Sequence, residues 1–262
     1  MNIKPSLSSQ DYNVRWKSIF KAVFPLWGTT PFDVYGQTTH DGSWAITGGP
    51  TGWIPGEMFV TPFGLGLGPW KGSTTADTDG SIWQISKSFG QLGGGDDYIV
   101  AVIWIHSGQT GQYGPVGSAV NINHRFWPNR FGNDIFGSIY GTNFSSASGL
   151  NTGDIILQIH STTGANGTGW LAWRNLTTGL TYNQTQSVGS GAMPNETNFL
   201  ASGINTGPIH PGGSVLAVYF GSGVGDPSYV ADVLTEDPFG PFRQTRMLTE
   251  SVYPLRYGGW SR

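Results

Sequence analysis

The carboxylates of this chain are few and badly placed for joint work. Hydrolysis of a glycan on an antiparallel sandwich needs two carboxyl groups facing each other across the scissile bond. Only four glutamates occur, Glu57, Glu196, Glu236 and Glu250, and none belongs to a Glu-x-Asp-x-x-Glu strand that would set acids on one face. Asp96 and Asp97 are adjacent, so on a strand they would point to opposite faces, and they read as a turn before a strand. No Gly-x-Ser-x-Gly elbow and no P-loop is present, and "GLGPWK" lacks the third glycine and following helix of a dinucleotide fingerprint. The five histidines, His40, His106, His124, His160 and His210, are too scattered for a zinc motif. His106 and His160 fall at the ends of apolar strands and are expected to be hydrogen-bonded structural residues. There is no cysteine, which removes disulfides and thiolate chemistry. No enzyme and no cofactor are expected.

Two motifs come nearer to a binding site. In "TADTDGSI", Asp77, Asp79 and Gly80 imitate part of a calcium loop, but Ser86 stands where the bidentate acid belongs. An Asx-type turn is the simpler account, and Asp77 and Asp79 remain weak calcium candidates. In "GTGWLAWRN", Trp170 and Trp173 could offer a platform on which a sugar stacks. On a strand, residues three apart face opposite sides, so both can line one site only across a bulge. They are the candidate ligand-binding residues.

The elements that must position these groups are strands. Forty-one glycines, 16 prolines and only 11% charged residues favour short strands and tight turns. An aromatic content of 13% supplies enough apolar surface for a large core. From residue 80 onward, "SIWQISKSF", "DYIVAVIWIHS", "AVNINHRFW", "DIFGSIYG", "DIILQIHST", "TGWLAWRNL", "LTYNQTQSV", "NFLASGI" and "GSVLAVYFG" follow one another between Gly, Asn and Ser clusters. Ile99–Ile105 and Val215–Phe220 are almost continuously apolar and should lie centrally, covered on both sides. In "GDPSYVADVLTEDPFGPF", Asp226 is placed to cap a helix with Pro227 at its first position, an apolar stripe of Val230, Val233 and Leu234, and a stop at Pro238. Near the start, "YNVRWKSIFKAVFPLW" has helical spacing over about 12–24, and a strand through "KAVFPLWG" competes with it.

Charge is unevenly spread. The net charge is −3, which argues against a nucleic-acid binder. In residues 1–25, Lys4, Arg15, Lys17 and Lys21 outnumber Asp11 by three; in residues 243–262, Arg243, Arg246, Arg256 and Arg262 outnumber Glu250 by three. The body between them is acidic. The ends therefore read as arms that dock on neighbouring acidic subunits. Candidate interface residues are Arg15, Trp16, Lys17, Phe20, Lys21 and Trp27 at one end. At the other they are Phe239, Phe242, Arg243, Arg246, Tyr253 and Arg256. The start "MNIKPSLSSQDYN" does not read as a signal peptide, and the run Ile99–Ile105 is too short to span a bilayer. Synthesis in a cytoplasm without membrane insertion is expected.

Two stretches resemble a known family. "DVYGQTTHDGSWAITGGPTGWIPGE", Asp33 to Glu57, is similar to the opening segment of bacteriophage-type laminin-G-like (concanavalin A-like) jelly rolls. "SVLAVYFGSGVGDPSYVADVLTEDPFGPFRQ" resembles their last strand, short helix and closing segment, and "DDYIVAVIWIHS" resembles an intervening strand. The resemblance implies an all-β, two-sheet antiparallel jelly-roll sandwich with one short C-terminal helix and extended terminal arms. The division expected is an arm over 1–23, a jelly roll over 24–243 and a tail over 244–262. It implies a non-enzymatic virion structural protein of a tailed phage, a decoration, fibre or tail-associated subunit on the particle surface. Its partners would be capsid or tail subunits and further copies of itself. The alternative is a carbohydrate-binding adhesin for a host-surface glycan, since fold alone does not choose between them.

Overall fold

The computed structural model describes residues 16, 18–25, 59–61, 64–66, 70–71, 83–85, 90–91, 96–106, 116–117, 124–128, 134–147, 149–190, 197–199 and 214–241. The described strands are, in chain order, β1 (Phe20–Pro25), β2 (Phe59–Thr61), β3 (Gly64–Gly66), β4 (Trp70–Lys71) and β5 (Trp83–Ile85). Then come β6 (Tyr98–Ile105), β7 (Val116–Gly117), β8 (Arg125–Pro128), β9 (Asp134–Ile139) and β10 (Thr142–Ala147). The last are β11 (Ile155–Thr162), β12 (Thr168–Asn175), β13 (Thr181–Ser187), β14 (Thr197–Phe199) and β15 (Ser214–Ser222), followed by helix α1 (Ser228–Glu236).

Two antiparallel sheets carry the fold. The larger has seven strands in the order β1-β15-β6-β11-β12-β13, with β4 pairing the first residues of β15 on the edge that β1 also uses. The smaller has six, in the order β10-β9-β8-β7-β14-β5, and β2 and β3 form a separate hairpin. Each of the nine strand segments expected after residue 80 contains a strand. The strand β10, "TNFSSA", was not anticipated. It begins after Tyr140 and Gly141, both at positive φ (46° and 75°), a two-residue turn of the type that twists with a hairpin. Tyrosine seldom adopts that conformation. Here its hydroxyl donates to Asp96 O at 2.8 Å and its ring packs on His124, which holds the turn in place.

The apolar runs lie centrally, because they are apolar on both faces. On β6, Tyr98, Val100, Val102 and Trp104 point between the sheets, toward Ile135, Ile139 and Phe144 of the second sheet. Ile99, Ala101 and Ile103 point the other way, under Val230, Ala231 and Leu234 of α1 and under Trp16, Ile19 and Phe20. Each large side chain so buried contributes about 1.5–3 kcal/mol.

Helix α1 starts one residue later than expected. Pro227 is the N-cap, and Asp226 acts from the turn before it, its Oδ1 accepting from Ser228 N at 2.9 Å and Ser228 Oγ at 2.6 Å. Those hydrogen bonds hold the Asp226 carboxyl below its ordinary range. Two contacts fix the helix to the sheet. Arg174 Nη2 pairs with Asp232 Oδ1 at 3.1 Å, and Tyr219 OH donates to Pro238 O at 2.6 Å.

The amino-terminal segment differs from expectation. Residues Phe20–Pro25 form β1 rather than the end of a helix, so the boundary placed at residue 23 falls inside a strand. Trp16, Ser18 and Ile19 are helical, as expected, but the helix does not continue past Ile19, and the spacing beyond it has a sheet explanation. A register shift between Phe20 and Ala22 absorbs Lys21, so Phe20 and Val23, three apart, face the α1 side while Ala22 and Phe24 face the other sheet. Trp16 and Phe20, expected as docking residues, are fully buried in this chain's own core. They stack on each other at 6.0 Å, and Phe20 packs on Tyr219 at 5.2 Å. Lys21 is half-buried at the bulge, and Phe239 packs against the same core. Arg15, Lys17, Trp27, Phe242, Arg243, Arg246, Tyr253 and Arg256 lie outside the described residues, as do Asp77, Asp79 and the segment Asp33–Glu57.

Two substitutions test this packing. Phe20→Ala should destabilise the fold by about 3–5 kcal/mol in urea denaturation, whereas a residue of a free docking arm would leave stability unchanged. Gly137→Ala would drive a Cβ to 2.0 Å from His160 Cε1 across the sandwich. It should lower stability by about 1–3 kcal/mol in the same measurement.

Candidate functional site

Polar chemistry is concentrated in three places, and their accessibility separates them. The first is a seam between the sheets. Strand β11 is buried throughout, yet it turns Gln158 and His160 toward the second sheet. Gln158 Nε2 donates to Phe136 O at 3.1 Å and lies 3.2 Å from His160 Nε2. An amide nitrogen only donates, so His160 Nε2 accepts and the ring is neutral. Tyr98 OH lies 2.6 Å from His124 Nδ1, and the His124 ring meets Tyr140 edge-on at 4.6 Å. Burial raises the Tyr98 phenol well above its ordinary range, so the hydroxyl is the donor. Tyr140 is raised by burial and by the nearby Asp96 and Asp97.

Burial pushes both seam histidines down to about 3, His160 with help from its neighbour His124. Gln158, His124 and His160 are no more than 1% exposed. No substrate reaches them, and groups that stay neutral at physiological pH without solvent access are not an acid–base pair. They are structural groups hydrogen-bonded inside a sandwich, with Gln158 Oε1 left without a hydrogen-bond partner among the described residues.

The second place is one end of the β11–β12–β13 sheet. Asp154 Oδ2 accepts from Asn151 N at 2.9 Å and Asn175 Nδ2 at 2.7 Å. Asn175 Oδ1 in turn accepts from Thr177 N and Thr178 N, both at 3.0 Å. His106 is buried beside Trp104, with burial lowering its pKa. This carboxylate shapes two turns. Asp96 and Asp97 lie exposed just before β6. Among the described residues no group of three or more His, Asp or Glu could hold a metal ion.

The third place is open to solvent. Strand β12 sends Trp170 and Trp173 to opposite faces, as alternation requires. Trp173 is 3% exposed between the sheets, its Nε1 donating to Ser146 Oγ at 2.7 Å and its ring stacked on Tyr182 at 5.9 Å. It is a core residue, so it is corrected from candidate ligand-binding residue to structural one. Trp170 lies half-buried on the face that carries α1. Its neighbours in register are Ser161 on β11 and Thr185 on β13. The far edge of the indole rests beside Gly225, where an added Cβ would come to 4.0 Å from Cη2.

Gly225 belongs to the connection from β15 to α1. On that connection Val224 is 41% exposed and Tyr229, in the first turn of α1, is 53% exposed. Exposed Thr185 and Asn183 of β13 border the same face, and the buried Ser161 Oγ has no hydrogen-bond partner among the described residues. A half-open indole with hydroxyl groups beside it in register suits a ligand with one flat apolar face and polar edges. Val224, Gly225 and Tyr229 were missed from the sequence. The nearness of Gly225 to Trp170 depends on the strand order β15-β6-β11-β12, which no local motif encodes.

No protein-family model matches this sequence, and no curated protein matches it. Solved structures do resemble it. Botulinum neurotoxin type C, described as interacting with two ganglioside molecules, gives a TM-score of 0.52 at 8% identity, over 85% of this chain and 52% of that one. The enzymatically active domain of tailspike protein 2 from bacteriophage CBA120 gives 0.44 at 15% identity, over 70% of this chain and 29% of that one. Lectin II from Ulex europaeus gives 0.36 at 11% identity, over 64% of this chain and 91% of that one. The chain thus spans about half or less of the neurotoxin and tailspike chains. At these identities the likeness is one of fold. The chain is an all-β, two-sheet antiparallel sandwich with one short helix, Ser228–Glu236, after its last described strand.

The seam predicts an acid-sensitive fold. In the unfolded chain each histidine titrates near 6.5; in the folded chain His124 and His160 titrate near 3. Stability is therefore fully present above about pH 7 and falls as pH drops below 6.5, by up to about 1.4 kcal/mol per pH unit per histidine. The Tm should decline between pH 6.5 and 4.5, before most carboxylates protonate, and His160→Gln should make that decline shallower.

Proposed function

We propose that this chain is a glycan-binding attachment module carried on the surface of a virus particle, with no catalytic role of its own. The observation that carries the binding reading is Trp170, half-buried on the face that carries α1, with exposed Thr185 beside it in register and the edge of its indole against Gly225. A pyranose presents a face of C–H groups, which packs on an indole, and a rim of hydroxyls, which pairs with side-chain hydroxyls and amides. The fold it shares with the ganglioside-interacting neurotoxin supports the reading as a scaffold only.

The particle-surface part of the proposal rests on the sequence resemblance to phage-type laminin-G-like domains. Its closing segment falls on β15 and α1 and its middle segment on β6. Capsid or tail subunits would be the partners, and the protein would be made in the host cytoplasm. Attachment through an amino-terminal arm is no longer favoured as a main role, because Trp16 and Phe20 are occupied in the core. The non-enzymatic reading follows the placement of the described carboxylates, with Asp154 engaged in turns and Asp226 and Asp232 in fastening α1.

A glycan array on the purified chain, followed by titration calorimetry with the best ligand, tests this proposal. Trp170→Ala should weaken binding at least tenfold, about 1.4 kcal/mol, while leaving the Tm within a few degrees of the parent. Absence of any glycan ligand, or binding indifferent to Trp170→Ala, would overturn it.

A further inference from the structure

The backbone that meets the edge of the Trp170 indole is bracketed by carboxylates. That backbone is Gly225, and the next residue, Asp226, is exposed. Hydrogen bonds from the Ser228 hydroxyl and N–H hold its carboxyl below the ordinary range, so it is ionised at neutral pH. On the other side of Gly225 lies Gly223, where an added Cβ would come to 2.9 Å from the Cβ of Asp97, also exposed. Exposed Asp96 precedes it, 3.5 Å by the same measure from Gly164 in the turn that leads into β12.

The one described cation on this face is Arg174, four residues along β12 from Trp170 and on the same side by alternation. Its charge is already committed. The side chain is 5% exposed, and Nη2 pairs with Asp232 Oδ1 at 3.1 Å. Nη1 donates to Trp173 O at 3.0 Å, Tyr182 O at 3.2 Å and Asn183 Oδ1 at 2.9 Å. A guanidinium so buried and so engaged is not free to grip a carboxylate of a ligand. The other described cations stand on distant elements. Lys21 is on β1 at the far edge of the sheet, and Arg125 is in the second sheet. Lys71 pairs with Ser214, at the end of β15 remote from Gly225.

We infer that Trp170 takes an uncharged hexose, and that Asp97 and Asp226 are specificity-determining residues that turn away sugars bearing a carboxylate. This choice of ligand rests on the glycan reading of Trp170 and narrows it. A neutral pyranose leaves both carboxylates hydrated, and its hydroxyls can donate to them. A hexuronate differs from its hexose only at the sixth carbon, where a carboxylate replaces the hydroxymethyl group. It keeps the face that stacks, yet it brings a like charge toward Asp97 and Asp226 with no free cation to offset it. Discrimination of this kind comes from repelling the wrong ligand, not from extra contacts to the right one.

Ligand-observed NMR titration of the intact chain tests this, with the methyl glycosides of glucose, galactose and mannose each set beside its uronate at pH 7. The hexose that binds best should bind about tenfold more tightly than its uronate at about 20 mM salt. Raising the salt to about 500 mM shortens the screening length from roughly 20 Å to about 4 Å and should close much of that gap. D97N/D226N keeps an acceptor for Ser228 and should bring the uronate to within about twofold of the hexose, with the Tm close to that of the parent. A uronate that the parent chain binds as tightly as its hexose, with binding lost in Trp170→Ala, would overturn this inference and leave the glycan reading standing. A gap indifferent to both salt and D97N/D226N would overturn the roles of Asp97 and Asp226. If no hexose binds in a Trp170-dependent way, an uncharged hexose is not the ligand, and the glycan array decides whether the wider reading survives.

Discussion

Strands β6 and β15 are apolar on both faces, and that constraint organises the molecule. An ordinary half-exposed sheet would leave one row to water; here neither row can be left there. The second sheet covers one face. The other needs a separate cover, and the chain assembles it from two distant segments, the residues around Trp16 to Phe20 and helix α1 with its continuation to Gly240. Tyr219 shows the dependence most directly. It lies in the middle of β15, packs under Phe20 and donates to Pro238 O. Without either cover, a tyrosine and a row of branched side chains would face solvent.

The same constraint explains the polar residues. Strand β11 is buried on both sides, but it carries Gln158 and His160 where its neighbour carries valines. Those side chains fit because Gly137 leaves room for the imidazole and the Phe136 carbonyl accepts from the amide. Further along the seam, Tyr98 and His124 satisfy each other. The interior is thus a close-packed mixture in which the Gln158 amide nitrogen and the Tyr98 hydroxyl each depend on a specific neighbour. At the exposed end of the sheet Trp170 has fewer neighbours, which is what leaves it available.

How far the sequence disclosed this can be judged residue by residue. The central strands were legible because Ile99–Ile105 and Val215–Phe220 admit no other location, and α1 was legible from Asp-Pro, its apolar stripe and Pro238. Opposite orientations for Trp170 and Trp173 followed from strand alternation. The β1 segment was ambiguous because a bulge at Lys21 gives a strand the spacing of a helix. Strand β10 was hidden by a turn built on Tyr140, whose positive φ depends on contacts with Asp96 and His124 far away in the chain. The candidate site was half legible: the ring could be named, while its surroundings came from strand order. At the amino end, Trp16 and Phe20, aromatic residues near basic ones, belong to the core rather than to a docking face.

The pairing of β1 with β15 joins Phe20 to Gly221, about two hundred positions apart in sequence. Chains emerge from the ribosome at roughly 5–20 residues per second, so Phe20 waits on the order of ten seconds or more for its partner. Through that time the first strand and the Trp16 and Phe20 rings have nowhere to bury. The inner strands β6, β11 and β12 can pair with one another earlier, but the α1-side layer cannot close until β15 and the helix have been made. This sandwich therefore completes its folding after nearly all of these residues are out, and contacts of such long range make that step slow. Mutations at Phe20 or Tyr219 should then show themselves in the yield of soluble protein at higher temperature as much as in the stability of what has already folded.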